Sequence, residues 1–256
     1  MADPAATPAN AIVTKLKTIS NRLGAIVVVD TPEDNSEGRT ELKKFRDANG
    51  AANVYMVSPK AKVAGEKNAV DAPASAHVAG VFARINFWES PSNQEINGIL
   101  GTSSAVSFAL NDPQSTGQVL NRMQIATIVR QDGLRLWGAR GTGDPTDLKT
   151  NQIQKVRIRD AIREAIQASH RWAVAKGITR NYFDAVANNV NAYLDELKRL
   201  GAIAGGKCYP DPDANTPTAL NDGKVYWIYE FTPTPVSETL TFTEEITDKY
   251  LEPIGA

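Results

Sequence analysis

The sequence predicts a mixed α/β fold, α+β in part. It has a βαβ-like half with a partly parallel sheet, two long helices, and a carboxy-terminal antiparallel β segment. Three observations predict it. "AIVVVD" (25–30) is a continuous apolar run rich in β-branched residues, the pattern of a strand buried on both faces. Residues 153–200 hold two stretches with apolar residues three and four apart, the spacing of helices with one buried stripe. From residue 225 the pattern alternates with period two, as in strands with one covered face.

Each element follows in chain order. Asn10 precedes Ile12, Leu16, Ile19 and Leu23 at helical spacing, and Gly24 ends that run. A loop, "TPEDNSEG", separates the first strand from a polar helix over 37–48 that buries Leu42 and Phe45. A second strand, "NVYMV", covers 53–57, and this alternation of helix and strand predicts parallel pairing. Asp71, Ala72 and Pro73 open a further helix with Val78, Phe82, Ile85 and Trp88 inward, which Pro91 is expected to end. "IATIVRQDGLRLWGAR" reads as strands 125–130 and 134–138 turning at Asp132-Gly133. Helices over 153–175 and 181–200 follow, the second with Phe183, Val186, Val190, Tyr193, Leu197 and Leu200 in one stripe and Gly201 as its stop. "KVYWIYEF" and "ETLTFTEEI" complete the chain as strands. The expected division is a lead-in over 1–10 and a core over 11–256, in which a βαβ-like part (11–145) packs with a helical plus β part (146–256).

Composition excludes several functions. The 28 basic and 29 acidic residues leave a net charge of −1, so nothing global favours nucleic acid or an anionic membrane. The single cysteine, Cys208, cannot form an intrachain disulfide, and with His77 and His170 it cannot build a Cys/His zinc site of ordinary spacing. "GARGTGDPTD" has the glycines of a phosphate loop without its Gly-Lys-Ser/Thr. "GILGTSSA" does not match a nucleophile elbow. No cofactor, metal or catalytic residue is expected. The one enzymatic alternative is a ligand site near Asp30, at the carboxyl end of the first strand.

Two patterns point to interaction instead. Lys155, Arg159, Arg163 and Arg171 recur at multiples of four, with Gln167 in the gap, and would form one basic stripe on a helix. It is either a solvated face neutralised by Asp160 and Glu164 or a docking face for an acidic partner. Thr239, Leu240, Thr241, Phe242 and Thr243 form an alternating strand near the end of the chain, which pairs at home or with a neighbouring copy.

These segments resemble the contractile tail sheath proteins of bacteriophages, R-type bacteriocins and related injection systems. "WESPSNQEINGILG" is similar to the family's W-x-SPSN loop and the segment after it, and "LNRMQIATIVRQDGLRLWGAR" to its motif around DG-x-R-x-WG. "RDAIREAIQASHRWAV", "LDELKRLGAI", "EFTPTPVSETLTF" and "ITDKYL" follow in the family's order. Gln124 stands where many relatives have Gly, and Gly141 separates Arg140 from Thr142 where relatives have Arg-Thr. The resemblance implies a structural protein that stacks with its own copies as a helical array around a tail tube. The array shortens on a baseplate signal and drives the tube through the envelope, as rigid subunits re-dock between two packings. It implies partners: other copies, the tail tube protein, and baseplate and tail terminator proteins, with no nucleic acid and no membrane insertion. It places the protein in the virion tail, assembled in the host bacterial cytoplasm. It implies that Pro91, Ser92 and Asn93 form a structural joint, that the basic stripe faces the tube, and that residues 239–243 belong to an intersubunit strand, donated or receiving. The family's usual amino-terminal arm and domain are not seen ahead of residue 11, so this chain is expected to be monomeric or weakly associating.

Overall fold

A computed structural model describes residues 10–34, 36 and 39–248. Apart from Asn10, the expected lead-in lies outside the described residues. Asn10 caps α1 (Ala11–Leu23): its side chain accepts from the Ile12 and Val13 amides, and Gly24 closes the helix in the left-handed region. The helix buries Val13 and Ser20, while the stripe Ile12, Leu16, Ile19 and Leu23 faces outward.

Then come β1 (Val27–Asp30), α2 (Thr40–Asn49), β2 (Val54–Val57), β3 (Ala61–Ala64), β4 (Ala69–Ala72), α3 (Ala74–Arg84) and β5 (Gly101–Thr102). After them come α4 (Thr116–Arg122), β6 (Ile125–Arg130), β7 (Leu134–Trp137), α5 (Ile153–Ser169) and α6 (Arg180–Arg199). β8 (Ile203–Pro210), α7 (Pro217–Asn221) and β9 (Trp227–Pro233) finish the order. The main sheet runs β1-β2-β6-β7, with β1/β2 and β2/β6 parallel and β6/β7 antiparallel. The β6–β7 turn falls at Asp132 and Gly133, both at positive φ, as a tight hairpin demands.

The sheet is covered on both faces. One core joins Tyr55, Val57, Ile128 and Leu136 to Val78, Val81 and Phe82 of α3. The other joins Val27, Val29, Val54, Met56 and Ile125 to Val13, Leu42 and Leu120. This is why β1, β2 and β6 read as unbroken apolar runs. A third core packs Ile158 and Ile162 of α5 and Val190, Leu194 and Leu197 of α6 against Ile203 and Cys208 of the β8–β9 ribbon.

Four expectations need correction. Asp71 and Ala72 belong to β4 of a small antiparallel sheet, β4-β3-β5, that the sequence did not announce, since β4 is almost wholly exposed and shows no alternation. α3 ends at Arg84, well before Pro91, because Ile85 is already extended and an Asn86–Glu89 turn follows. That turn releases Phe87 and Trp88 as an edge-to-face pair into the third core. α5 ends at Ser169 rather than 175: the His170 ring reaches back to the Ile166 carbonyl and a 3-10 turn, Arg171–Ala173, follows. Finally, the expected strand 238–246 is absent. Residues 234–248 carry no strand, and the ribbon contains only β8 and β9.

Candidate assembly surfaces

The segment around Pro91 is knitted to the sheet. Ser92 Oγ accepts from the Gly138 amide at 3.1 Å, and the Asn93 amide donates to the Leu136 carbonyl at 2.6 Å. The Leu136 amide donates to Gln94, and the Ile96 amide donates to Leu134, so residues 93–96 extend the sheet beyond β7. Asn93 sits at φ 63, which a short polar side chain tolerates, and the Arg135 guanidinium donates to its carbonyl at 2.9 Å. Ser92 and Asn93 thus bond across the fold, and the Ser92 amide also donates locally to Ser90 Oγ at 3.1 Å.

Gly138 is the node of this joint. At φ 141, a Cβ there would fall 2.9 Å from Ala126 Cα. Its carbonyl accepts from the buried Tyr55 hydroxyl at 2.6 Å, and burial pushes that phenol's pKa far up. The glycines that suggested a phosphate loop serve packing: a Cβ on Gly141 would lie 2.7 Å from Ala52 O, and one on Gly143 2.9 Å from Ala52 Cα. Gln124 explains its own departure from the family pattern. It holds φ 59, a conformation suited to Gly, and its side chain donates to Gly143 O and accepts from Arg46.

Asp30 is occupied structurally. Its carboxylate accepts from the Ser75 amide at 2.9 Å and, through a short bond, from the Ser75 hydroxyl, which caps the start of α3. The alternative of a ligand site at Asp30 therefore loses its carboxylate. Among the described residues no group of His, Cys, Asp and Glu could hold a metal, and no helix is long and apolar enough to cross a membrane.

The basic residues divide. Lys155, Arg159 and Arg163 lie on α5, flanking the face that buries Ile158 and Ile162. Asp160, 5% exposed, accepts from both Arg159 and Arg163 at 3.0 Å. Lys155 donates to the Leu148 carbonyl and Asn151. Arg171 lies past the helix end in the 3-10 turn, so helical periodicity does not place it on the stripe. Sequence reasoning missed Arg157, which donates to the Phe82 and Asn86 carbonyls and stacks over Phe82, tying α5 to the end of α3. Its burial lowers its pKa, against a raising influence of Glu89. No spacing rule marks one arginine among three on a helix.

The tail leaves from a clamp. The Gln152 amide donates to Val236 O at 2.9 Å and Glu238 at 2.6 Å, and accepts from the Val236 amide at 3.1 Å. Arg140 pairs with Glu238 at 2.8 Å. Beyond the clamp, Leu240, Phe242 and Ile246 are 76, 87 and 91% exposed. Thr239, Thr241 and Thr243 alternate with them and are exposed as well. Among the described residues the β8–β9 ribbon has two strands, so each keeps one edge without a described strand neighbour.

The fold, the joint and the ribbon with its outlying tail can be compared with known proteins. The phage tail sheath protein central domain matches residues 1–142, and the phage tail sheath C-terminal domain matches residues 146–247. The chain belongs to the phage tail sheath family. A prophage major tail sheath protein of Pseudomonas aeruginosa (strain UCBPP-PA14) is 38% identical over 97% of this chain and 64% of its own length. The tail sheath protein of Escherichia phage P2 is 33% identical over 70% of this chain and 46% of its own length. The chain thus spans about two thirds or less of these sheath relatives. Its fold is that of solved sheaths. The sheath complex of an extracellular contractile injection system (PVC) in the contracted state superposes with a TM-score of 0.75 at 19% identity, covering 93% of this chain and 70% of that one. The contracted helical sheath of the anti-feeding prophage (AFP) gives 0.70 at 22% identity, covering 92% and 65%. The relatives' names are those of structural sheath proteins.

Proposed function

We propose that the chain is a structural subunit of a contractile tail sheath. It stacks with its own copies in a helical array around a tail tube in the virion tail or a related contractile particle. The array's contraction drives the tube through the cell envelope. Family membership across both the central and the C-terminal domain carries this reading. The ribbon edges, unpaired among the described residues, and the exposed alternating tail support it, since both suit strand exchange between copies. Assembly takes place in the host bacterial cytoplasm, with baseplate and tail terminator proteins bounding the array.

Within this reading the residues take roles. Pro91, Ser92 and Asn93 keep the sheet half rigid while subunits re-dock. Lys155, Arg159 and Arg163 face the tube, with Arg171 apart from them. Partly exposed cations, two of them already shared with Asp160, make weak contacts, about 0–1 kcal/mol each, which suits a surface that must detach. Residues 239–243 form the intersubunit strand.

Immunogold electron microscopy tests the function. Antibody against this chain, applied to particles from an induced lysate, should decorate the outside of contractile tails in extended and shortened states. Bare tails with the antigen soluble in the lysate would overturn the reading. Arg159→Gln with Arg163→Gln, which removes both charges but leaves side-chain amides able to donate to Asp160, should weaken sheath assembly on its tube. Unchanged assembly would remove the tube-facing role.

A further inference from the structure

The helical half contains a cleft of about 680 Å³ that no part of the described chain fills. Its walls are apolar: Val186 and Val190 of α6, Trp227 and Tyr229 of β9, and Ile166 and His170 at the end of α5. His170 is fixed at the cleft's edge, its Nδ1 2.8 Å from the Ile166 carbonyl and 3.0 Å from the Ser169 hydroxyl. The cleft therefore suits an apolar occupant.

The chain carries such an occupant at its other end. Leu240 and Phe242 are exposed and two residues apart. They do not enter their own cleft. The clamp holds Val236 and Glu238 at Gln152, at the start of α5, whereas the cleft opens at the far end of α5. Gln152 and Ile166 are about 21 Å apart along the axis, at about 1.5 Å per residue. From Glu238 a fully extended chain reaches Phe242 in at most about 14 Å. β9 agrees: it runs from Trp227, in the cleft wall, to Pro233, about 20 Å away and toward the clamp.

We infer that the cleft is the seat for the apolar side chains of another copy's tail, with Phe242 as the anchor and Leu240 beside it. This rests on the strand-exchange reading above and adds the pocket that reads the strand. Charge supports it: Lys176 lines the cleft, and Glu244 follows the anchor. Donor and acceptor lie at opposite ends of one unit, so the contact is head-to-tail. Such a contact propagates from copy to copy and makes an open helix where its rotation does not close.

The test uses a peptide of residues 237–248 with Phe242 replaced by the photoreactive p-benzoylphenylalanine, added to the full chain. Mass spectrometry should map its adducts to the cleft segments around 186–190 and 225–229. Leu240→Ala with Phe242→Ala in a fluorescent peptide should weaken binding about tenfold or more. Val225→Asp in the chain, at the half-buried rim, should do the same. Adducts confined to the ribbon edges, no adducts, or binding indifferent to Val225→Asp would each overturn the pocket. A small molecule found filling the cleft of the purified chain by native mass spectrometry would overturn it as well. Immunogold decoration of tails is unaffected by these outcomes, so a failed pocket is distinguishable from a failed sheath reading.

Discussion

The two halves of this chain cover their strands to different degrees. In the sheet half, β1, β2 and β6 are buried on both faces, and residues 93–96 extend the sheet past β7. In the helical half, a two-stranded ribbon lies on α6 with an edge of each strand unmatched among the described residues, the last of which stay outside any sheet. A two-stranded ribbon is marginal alone and gains from added strands. The first half covers its main sheet with its own helices, although β1 and β4 stay edge strands, and in the function proposed above the second half is completed by other copies. α1 qualifies the contrast, since it belongs to the first half yet turns Ile12, Leu16, Ile19 and Leu23 outward.

The largest effect that would sharpen this comparison is in the sheet half. Gly138→Ala puts a Cβ against Ala126 and disturbs the bonds to Ser92 and Tyr55. It should cost about 3 kcal/mol, read as a drop in thermal midpoint of the isolated chain. Removing residues after Pro235 should do the reverse. It deletes the clamp contacts and the tail, so the subunit should stay folded by circular dichroism while assembly is lost. A truncated chain that forms normal sheaths would break the comparison.

Smaller effects probe the joints. Ser92→Ala leaves the Gly138 amide without its acceptor and should cost about 1 kcal/mol in denaturant unfolding. Gln124→Ala should be less stable than Gln124→Gly by about 1 kcal/mol. Both lose the bonds to Gly143 and Arg46, but only Gly relieves the positive φ.

The smallest effect depends on pH. Asp144 and Asp147 have pKa values lowered from 3.8, chiefly by the Thr146 and Thr150 hydroxyls. Folding keeps these carboxylates ionised, so their contribution is present above the unfolded value and fades as pH falls through the lowered folded values. Hydrogen exchange in the loop 144–151 should quicken there before the main sheet loosens.

Legibility followed burial. β1, β2 and β6 were readable because two-sided burial writes continuous apolar sequence, and the Asp-Gly turn marked the hairpin to β7. β3, β4 and β8 were not. β4 is exposed, and "IAGGKCYP" hides β8 behind two glycines; a Cβ on one of these, Gly206, would lie 2.9 Å from Glu230 O. The boundary at Arg84 was missed because Phe87 and Trp88 keep an apolar rhythm after the helix has ended, serving a different core. The SPSN segment was recognisable, but its partners Leu136 and Gly138 lie more than forty residues on, beyond any local rule. Of the basic stripe, three members are on one helix. Arg171 is not, because His170 folds back on Ile166 and ends it.

The central claim is that copies complete the helical half. Hydrogen–deuterium exchange tests it most directly, comparing the chain in dilute solution with the same chain in sheath purified from particles. The account predicts that amides of β2 and β6 exchange slowly in both. Those of residues 239–243 and one edge of the ribbon should be fast in solution and protected in the sheath. Equal exchange of the tail in the two states, whether slow in both or fast in both, would contradict it.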